Sequence, residues 1–327
     1  ESEGEPLKGV PRFRWKYKAG RGAISSPAIV NNMAYVSAYD NYIYALNMND
    51  GTCLWEYKVR GQLASSPIIY EGTLYAGCMD CNLYSIDINA ICLKWKYKTD
   101  GLITCTPALS GEVVYTGSYD SYFYAIDVNG GRLIWKFNAG GTVMSSPVVW
   151  ENVVYFGSLD SHVYALTTEN GELKWKFKTG YSISSSPCIY QGKVFIGSYD
   201  GHLYSIDINS GEPVWVLNTS STITSTPVAS DGIVYIGTHS GHMIAIDTET
   251  GKPVWNYKVK DPFQSPPAIS GGILYFYAEK TKLFILNGKT GQVVSCIDSG
   301  INFSSSPAIS DGFLIIGTSD GYIYGFK

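Results

Sequence analysis

The chain has 327 residues, of which 45 % are apolar and 14 % aromatic, enough to bury a sizeable core. Only 16 % are charged, and a net charge of −4 leaves no basic footprint for nucleic acid or an anionic membrane. No apolar run approaches the ~20 residues of a membrane span, so disorder, a coiled coil and a membrane channel are excluded. The leading segment, Glu1 to Gly9, is polar and acidic rather than a signal peptide. Because position 1 is Glu and not Met, an export signal removed upstream is an expectation.

The first predicted element is a lone strand, Arg12–Lys18, and after it a strict register begins. Prolines fall at Pro27, Pro67, Pro107, Pro147, Pro187, Pro227, Pro267 and Pro307, each step being 40 residues. Tryptophans keep the same step at Trp15, Trp55, Trp95, Trp135, Trp175, Trp215 and Trp255; Ser295 stands in the next slot, and Trp150 is off the register. Such a period marks a repeat architecture, and it leaves almost no chain for inserted loops. In the first copy four strands are predicted over Ile24–Val30, Met33–Ala38, Tyr42–Asn47 and Cys53–Lys58, joined by turns rich in Asn, Asp and Gly. Runs such as Val153 to Phe156 and Phe313 to Ile316 do not alternate with polar residues, as befits strands buried on both faces. Radially packed four-stranded sheets provide that environment.

Proline donates no ladder hydrogen bond, which places the proline strand at an edge lining a central channel. Lysines on the fourth strand, among them Lys16, Lys18, Lys58, Lys96, Lys98, Lys136, Lys176 and Lys178, suit an outer edge protected from sheet-to-sheet association. The three strands between Ser304 and Phe326 lack a fourth, which residues 12–18 would supply. The expectation is a single all-β domain over residues 1–327, an eight-bladed β-propeller closed by its N-terminal strand.

The third turn and fourth strand carry Ala-x-Asp-x-x-x-Gly-x-x-x-Trp, as in Ala125, Asp127, Gly131 and Trp135, or Ala245, Asp247, Gly251 and Trp255. With the Ser-Ser-Pro that follows, and the Gly-Ser-Tyr-Asp of 117–120 and 197–200, this resembles the PQQ-like repeat of quinoprotein dehydrogenases and related propellers. The resemblance implies that each tryptophan docks on the neighbouring blade. It makes the sector around Ser240, Lys280 and Ser295 the least regular part of the ring. In the enzymes of that family the quinone and a calcium ion sit over the channel mouth, held largely by insertions that 40-residue blades do not have. The resemblance is therefore to the non-enzymatic branch, which includes a propeller lipoprotein of outer-membrane assembly, and no bound cofactor is expected. The alternatives are a minimal PQQ- and calcium-dependent oxidoreductase and a carbohydrate-binding propeller.

Other constellations read as scaffold. His162, His202 and His242 recur in three successive copies, but equivalents on neighbouring blades lie about 12 Å apart, too far to share a metal. The turns at Asp127 and Asp207 offer too few oxygens for calcium and read as self-capping. Cys78 and Cys81 form an isolated C-x-x-C with no second pair. Seven unpatterned cysteines favour a reducing compartment, whereas the Tyr/Ser/Asn-rich surface and the resemblance favour an extracytoplasmic one. Ser65-Ser66 and Ser185-Ser186 recur in nearly every copy and are not nucleophiles.

Subtracting the repeat leaves two sets of candidates for a protein or peptide partner, on a propeller expected to be monomeric. One lies on the loops entering the proline strands: Arg21, Gln62, Tyr181, Asp261, Phe263 and Phe303, with Asn302 beside the last. The other lies on the opposite face, where Tyr70, Trp150 and Tyr190 replace the small residues of other copies.

Overall fold

A computed structural model describes residues 11–20, 22, 25–263 and 265–327. These residues form eight four-stranded antiparallel sheets, with no helix among them. The innermost strand of the first blade is β2 (Ala28–Val30), followed outward by β3 (Met33–Ser37), β4 (Tyr42–Asn47) and β5 (Cys53–Lys58). The next six blades repeat this order. The eighth comprises β30 (Ala308–Ser310), β31 (Phe313–Gly317) and β32 (Tyr322–Phe326), and its outer strand is β1 (Phe13–Lys18), which pairs antiparallel with β32.

Three boundaries differ from expectation, two of them by one residue: β1 begins at Phe13 rather than Arg12, and β3 ends at Ser37 rather than Ala38. The inner strand is shorter than Ile24–Val30, beginning only after Pro27. Where a longer ladder would run, the buried hydroxyl of Ser25 accepts the Ser37 N–H at 2.9 Å. The same bond recurs at Ser65 to Gly77 (3.1 Å), Ser145 to Gly157 (3.0 Å) and Ser305 to Gly317 (2.8 Å). In the third blade the thiol of Cys105 accepts the Gly117 N–H instead. The first serine of Ser-Ser-Pro thus ends the ladder, and the second ties blades together: the Ser26 N–H donates to Ser66 Oγ at 3.0 Å and the Ser146 N–H to Ser186 Oγ at 2.9 Å. Pro266 fills that slot in the seventh blade and can neither donate nor accept there with its side chain.

Aromatic packing joins each outer strand to the next blade. The indole N–H of Trp95 donates to Val128 O at 2.7 Å, and those of Trp175 and Trp255 donate to Ile208 O and Gly288 O at 3.0 and 2.7 Å. Each ring lies against a glycine of the neighbouring turn: Trp95 on Gly131, Trp175 on Gly211, Trp255 on Gly291. Losing one such indole should cost roughly 3 kcal/mol. Trp15 of β1 makes the same contact with Met48 O and Gly51, so closure uses the joint found between covalently continuous blades. The exception at Ser295 has a physical reason. Its indole would meet the third turn of the eighth blade, and in place of that turn the main chains of Arg12 and Lys327 exchange two hydrogen bonds.

A second joint is polar. Asp40 Oδ2 accepts the Tyr44 hydroxyl at 2.6 Å and the Gly20 N–H at 2.7 Å, fastening the loop entering the blade. Asp200 does the same with Tyr204 and Gly180, both at 2.7 Å, and Asp80 binds the Tyr84 hydroxyl at 2.5 Å. Ser240 and Lys280 replace the aspartate exactly where Ile244 and Phe284 replace the tyrosine, so both partners are lost together. The seventh blade departs further, Tyr277 standing where most second strands end in glycine.

Burial drives the Asp80 and Asp200 carboxyls up, but donation from the tyrosine hydroxyls and turn residues outweighs it, holding both below the usual range. A depressed folded-state pKa adds stability that is complete above the unfolded value of about 3.9 and is lost as pH falls through the folded value. Urea titrations between pH 6 and pH 2 should therefore show stability falling below about pH 4 in the wild type. The Asp80→Asn/Asp200→Asn variant should be weaker at neutral pH with a shallower acid slope. Equal slopes would mean that these joints do not titrate with folding.

Candidate functional site

The eight short inner strands surround a channel, as the prolines imply. A cavity of about 560 Å³ opens along it, lined on the described residues of blades one, six, seven and eight by side chains such as Pro27, Ile29, Val228, Ser230, Ala268 and Ile309. A quinone of the PQQ type carries three carboxylates and works with calcium, so its seat needs cationic side chains and clustered oxygen ligands. The lining residues do not fit that group, because none of them bears a charge. Among the described residues no three His, Cys, Asp or Glu side chains converge as a metal-holding group. His162 and His202 each turn to the aspartate of their own turn, and His242 Nδ1 lies 2.8 Å from Asn256 Oδ1. Asp127 and Asp207 accept the amides of their own turns. Cys78 and Cys81 are free thiols, and burial pushes the Cys78 thiol up to about 12.

On the face carrying the entering loops the structure separates the predicted residues. Arg21 lies outside the described residues. Gln62 is exposed, Asp261 half-buried, and Tyr181 projects with 63 % of its surface accessible. Phe263 and Phe303 are corrections: at 2 % and 5 % accessibility they are core residues, not surface anchors. Both occupy the slot of Leu63, Ile103, Val143, Ile183 and Ile223, all buried. Ile103 caps Gly77, Val143 caps Gly117 and Phe263 caps Gly237, each filling the space over the second strand of the preceding blade. The Phe263 ring meets Phe276 edge-on at 5.3 Å, and Phe303 lies 6.4 Å from Tyr277.

The opposite face keeps its three aromatic residues at the ends of inner strands. Tyr70 and Tyr190 are half-buried, while Trp150 is 52 % accessible. The Tyr190 hydroxyl accepts the Gly232 N–H at 2.9 Å, which fixes its ring across two blades. Glu71 drives the Tyr70 hydroxyl above its usual range, by its charge and by accepting the phenolic hydrogen. The turns after the inner strands expose Glu71, Glu112, Glu151, Asp231 and Asp311, and none of these eight turns contains Lys or Arg. Sequence inspection found the aromatics and missed this carboxylate rim, although the turns were already legible as a register.

Inspection also missed a cavity of about 410 Å³ at the outer edge between the first and second blades, lined by Arg60, Asp80, Asn82, Lys96 and Lys98. A third, of about 350 Å³, is lined by Tyr199, Thr222, Thr224 and His239.

Comparison with known proteins gives the fold a context. No curated protein matches the chain. The family model described as "Outer membrane protein assembly factor BamB" matches residues 12–102. Among solved structures, BamB from Moraxella catarrhalis is 16 % identical with a TM-score of 0.85, covering 97 % of this chain and 100 % of that one. The computationally designed Ika8 protein is 18 % identical with a TM-score of 0.82, covering 100 % and 99 %. The quinohemoprotein alcohol dehydrogenase ADHIIG from Pseudomonas putida HK5 is 14 % identical with a TM-score of 0.82, covering 100 % and 78 %. At these identities the likeness concerns the fold alone, and it supports a propeller of PQQ-type repeats. The family model described as "Beta-alanine-activating enzyme, beta-propeller" matches residues 70–327, most of the length, and the chain belongs to that family of β-propellers.

Proposed function

We propose that this propeller is a non-catalytic scaffold that binds a protein or peptide segment at the channel mouth bearing Tyr70, Trp150 and Tyr190. The observation that carries the reading is Trp150, a large aromatic side chain left 52 % accessible at an inner-strand end where five other blades place serine or valine. Exposed tryptophan at a concave mouth is the usual anchor of a partner interface. The carboxylate rim around it complements a segment bearing Lys or Arg, which gains orientation and on-rate from opposite charge. Structural likeness to BamB, whose family is named for outer-membrane protein assembly, supports a scaffold reading; the alcohol dehydrogenase shares only the ring.

The test is a photo-crosslinking amino acid placed at position 150 and, separately, at the outer-rim position Leu54. In the source cell, position 150 should yield a discrete polypeptide adduct that Leu54 does not, and Glu71→Gln/Glu151→Gln should weaken its formation several-fold. Identical adduct patterns at the two positions would remove the proposal.

A further inference from the structure

Two departures from the register, Asn82 and Arg60, meet in the cavity between the first two blades. In most blades the residue that opens the third strand is large, and in three of them a lysine ammonium lies over its ring. Lys58 sits 5.6 Å from the centre of Tyr42, Lys136 4.4 Å from Tyr122, and Lys18 4.3 Å from Tyr322. Blades four to six have His162, His202 and His242 there, and the seventh has Lys282, which is paired with Glu279 at 2.7 Å. The second blade has Asn82. Asn82 is buried, and its side-chain amide donates to Asp80 O at 3.0 Å, so the floor of the hollow is polar and fixed.

Over that floor stand Lys96 and Lys98 of the outer strand (Cys92–Lys98), deprived of the ring their counterparts cover. Arg60 joins them from the first blade, in a slot held elsewhere by Gly20, Asp100, Gly140, Gly180, Ser220, Lys260 and Gly300. Among the described residues none of these three cationic side chains has an ion-pair or hydrogen-bond partner. The one acid in the lining, Asp80, is engaged: Oδ1 accepts the Asn82 N–H at 3.1 Å and Oδ2 the Tyr84 hydroxyl at 2.5 Å. Three cations against one committed carboxylate leave the hollow strongly electropositive.

We infer that this hollow is a binding site for a tetrahedral dianion, a phosphate either free or as the terminal group of a monoester. A planar guanidinium presents paired donors to two phosphate oxygens, and the two ammonium groups act as mobile point charges on the others. The hollow is large enough for such a group, and filling it gives all three cations the partner they lack.

Binding is measured by calorimetry and by ³¹P NMR in about 0.1 M chloride, where screening suppresses diffuse attraction. The probes are inorganic phosphate and phenyl phosphate. Saturable one-to-one binding is expected, equal for the two probes if the ligand is free phosphate and tighter for phenyl phosphate if it is an ester. Arg60→Ala should weaken binding at least about tenfold, or 1.4 kcal/mol. Asn82→Tyr retains every charge and restores the residue found in blades one, three and eight, so it should fold and yet fill the hollow, with a similar loss. Lys136→Ala, in a blade whose lysine already covers a tyrosine, should change nothing. Absence of saturation up to about 10 mM phosphate, or undiminished binding by Asn82→Tyr, would overturn the inference.

Discussion

Removal of residues 1–19 should lower the melting temperature by roughly 7 °C, because about 5 kcal/mol of contacts disappears from a chain of this size. The deletion takes away all of β1, whose Phe13, Trp15, Lys16, Tyr17 and Lys18 pair with Phe326, Gly325, Tyr324, Ile323 and Tyr322. It removes the Trp15 indole from Met48 O and Gly51, the Phe13 ring from Tyr324 and Phe326, and the Tyr17 ring from Tyr44, 5.6 Å away. The indole alone accounts for about 3 kcal/mol. The rest comes from the ladder and from the link between eighth and first blades that only this strand makes through tryptophan. It would also leave β32 as a bare edge, so concentration-dependent association should accompany the lower melting point. A melting curve unchanged by the deletion would show that the ring does not depend on this closure. Adding a synthetic peptide of residues 11–20 should recover part of the loss, which separates closure from a general folding defect.

Gly131→Val should destabilise the chain by about 4 kcal/mol in urea titration, the largest effect expected of any single substitution here. Two costs add. Gly131 has φ +63, a region that a β-branched residue enters only at about 1–2 kcal/mol. A Cβ there would also stand 2.6 Å from Cδ2 of Trp95, so the indole must leave its seat. The second blade provides a natural contrast. Ile91 occupies the equivalent slot opposite Trp55, with φ 52 and 41 % of its surface accessible. Ile91→Gly removes that backbone strain at the cost of a more flexible unfolded chain, and should stabilise by up to about 1 kcal/mol. If both substitutions act in the same direction, the slot is not governed by the approach of the tryptophan.

Most of the architecture was legible because the prolines and tryptophans count the blades and the split eighth blade announces its own closure. The inner strand was drawn too long, since the sequence does not reveal that Ser25 and its equivalents replace the ladder before the proline. Phe263 and Phe303 were misread for a related reason. Their aliphatic counterparts differ in size and shape, so a shared buried slot looked like variation on a surface loop. Trp150 and Tyr181 stand out in the sequence and are exposed in the structure. The hollow at Arg60, Lys96 and Lys98 was hidden because its lysines resemble edge protection. Only the knowledge that a lysine lies over Tyr42 or Tyr122 gives meaning to Asn82.

The seam between β1 and β32 has one more consequence. The N–H and carbonyl of Arg12 are bonded to the carbonyl and N–H of Lys327, so these two residues are neighbours in space as close as any adjacent pair on a hairpin. The ring of blades is therefore closed at this seam by hydrogen bonds rather than by a covalent bond. A short bridge from 327 to 12 would allow the seam to be moved to any outer turn, with Ser295 then free to become a tryptophan once a turn exists for it to meet. Which blade counts as first is a fact about the reading order of the chain, while the ring itself has no beginning.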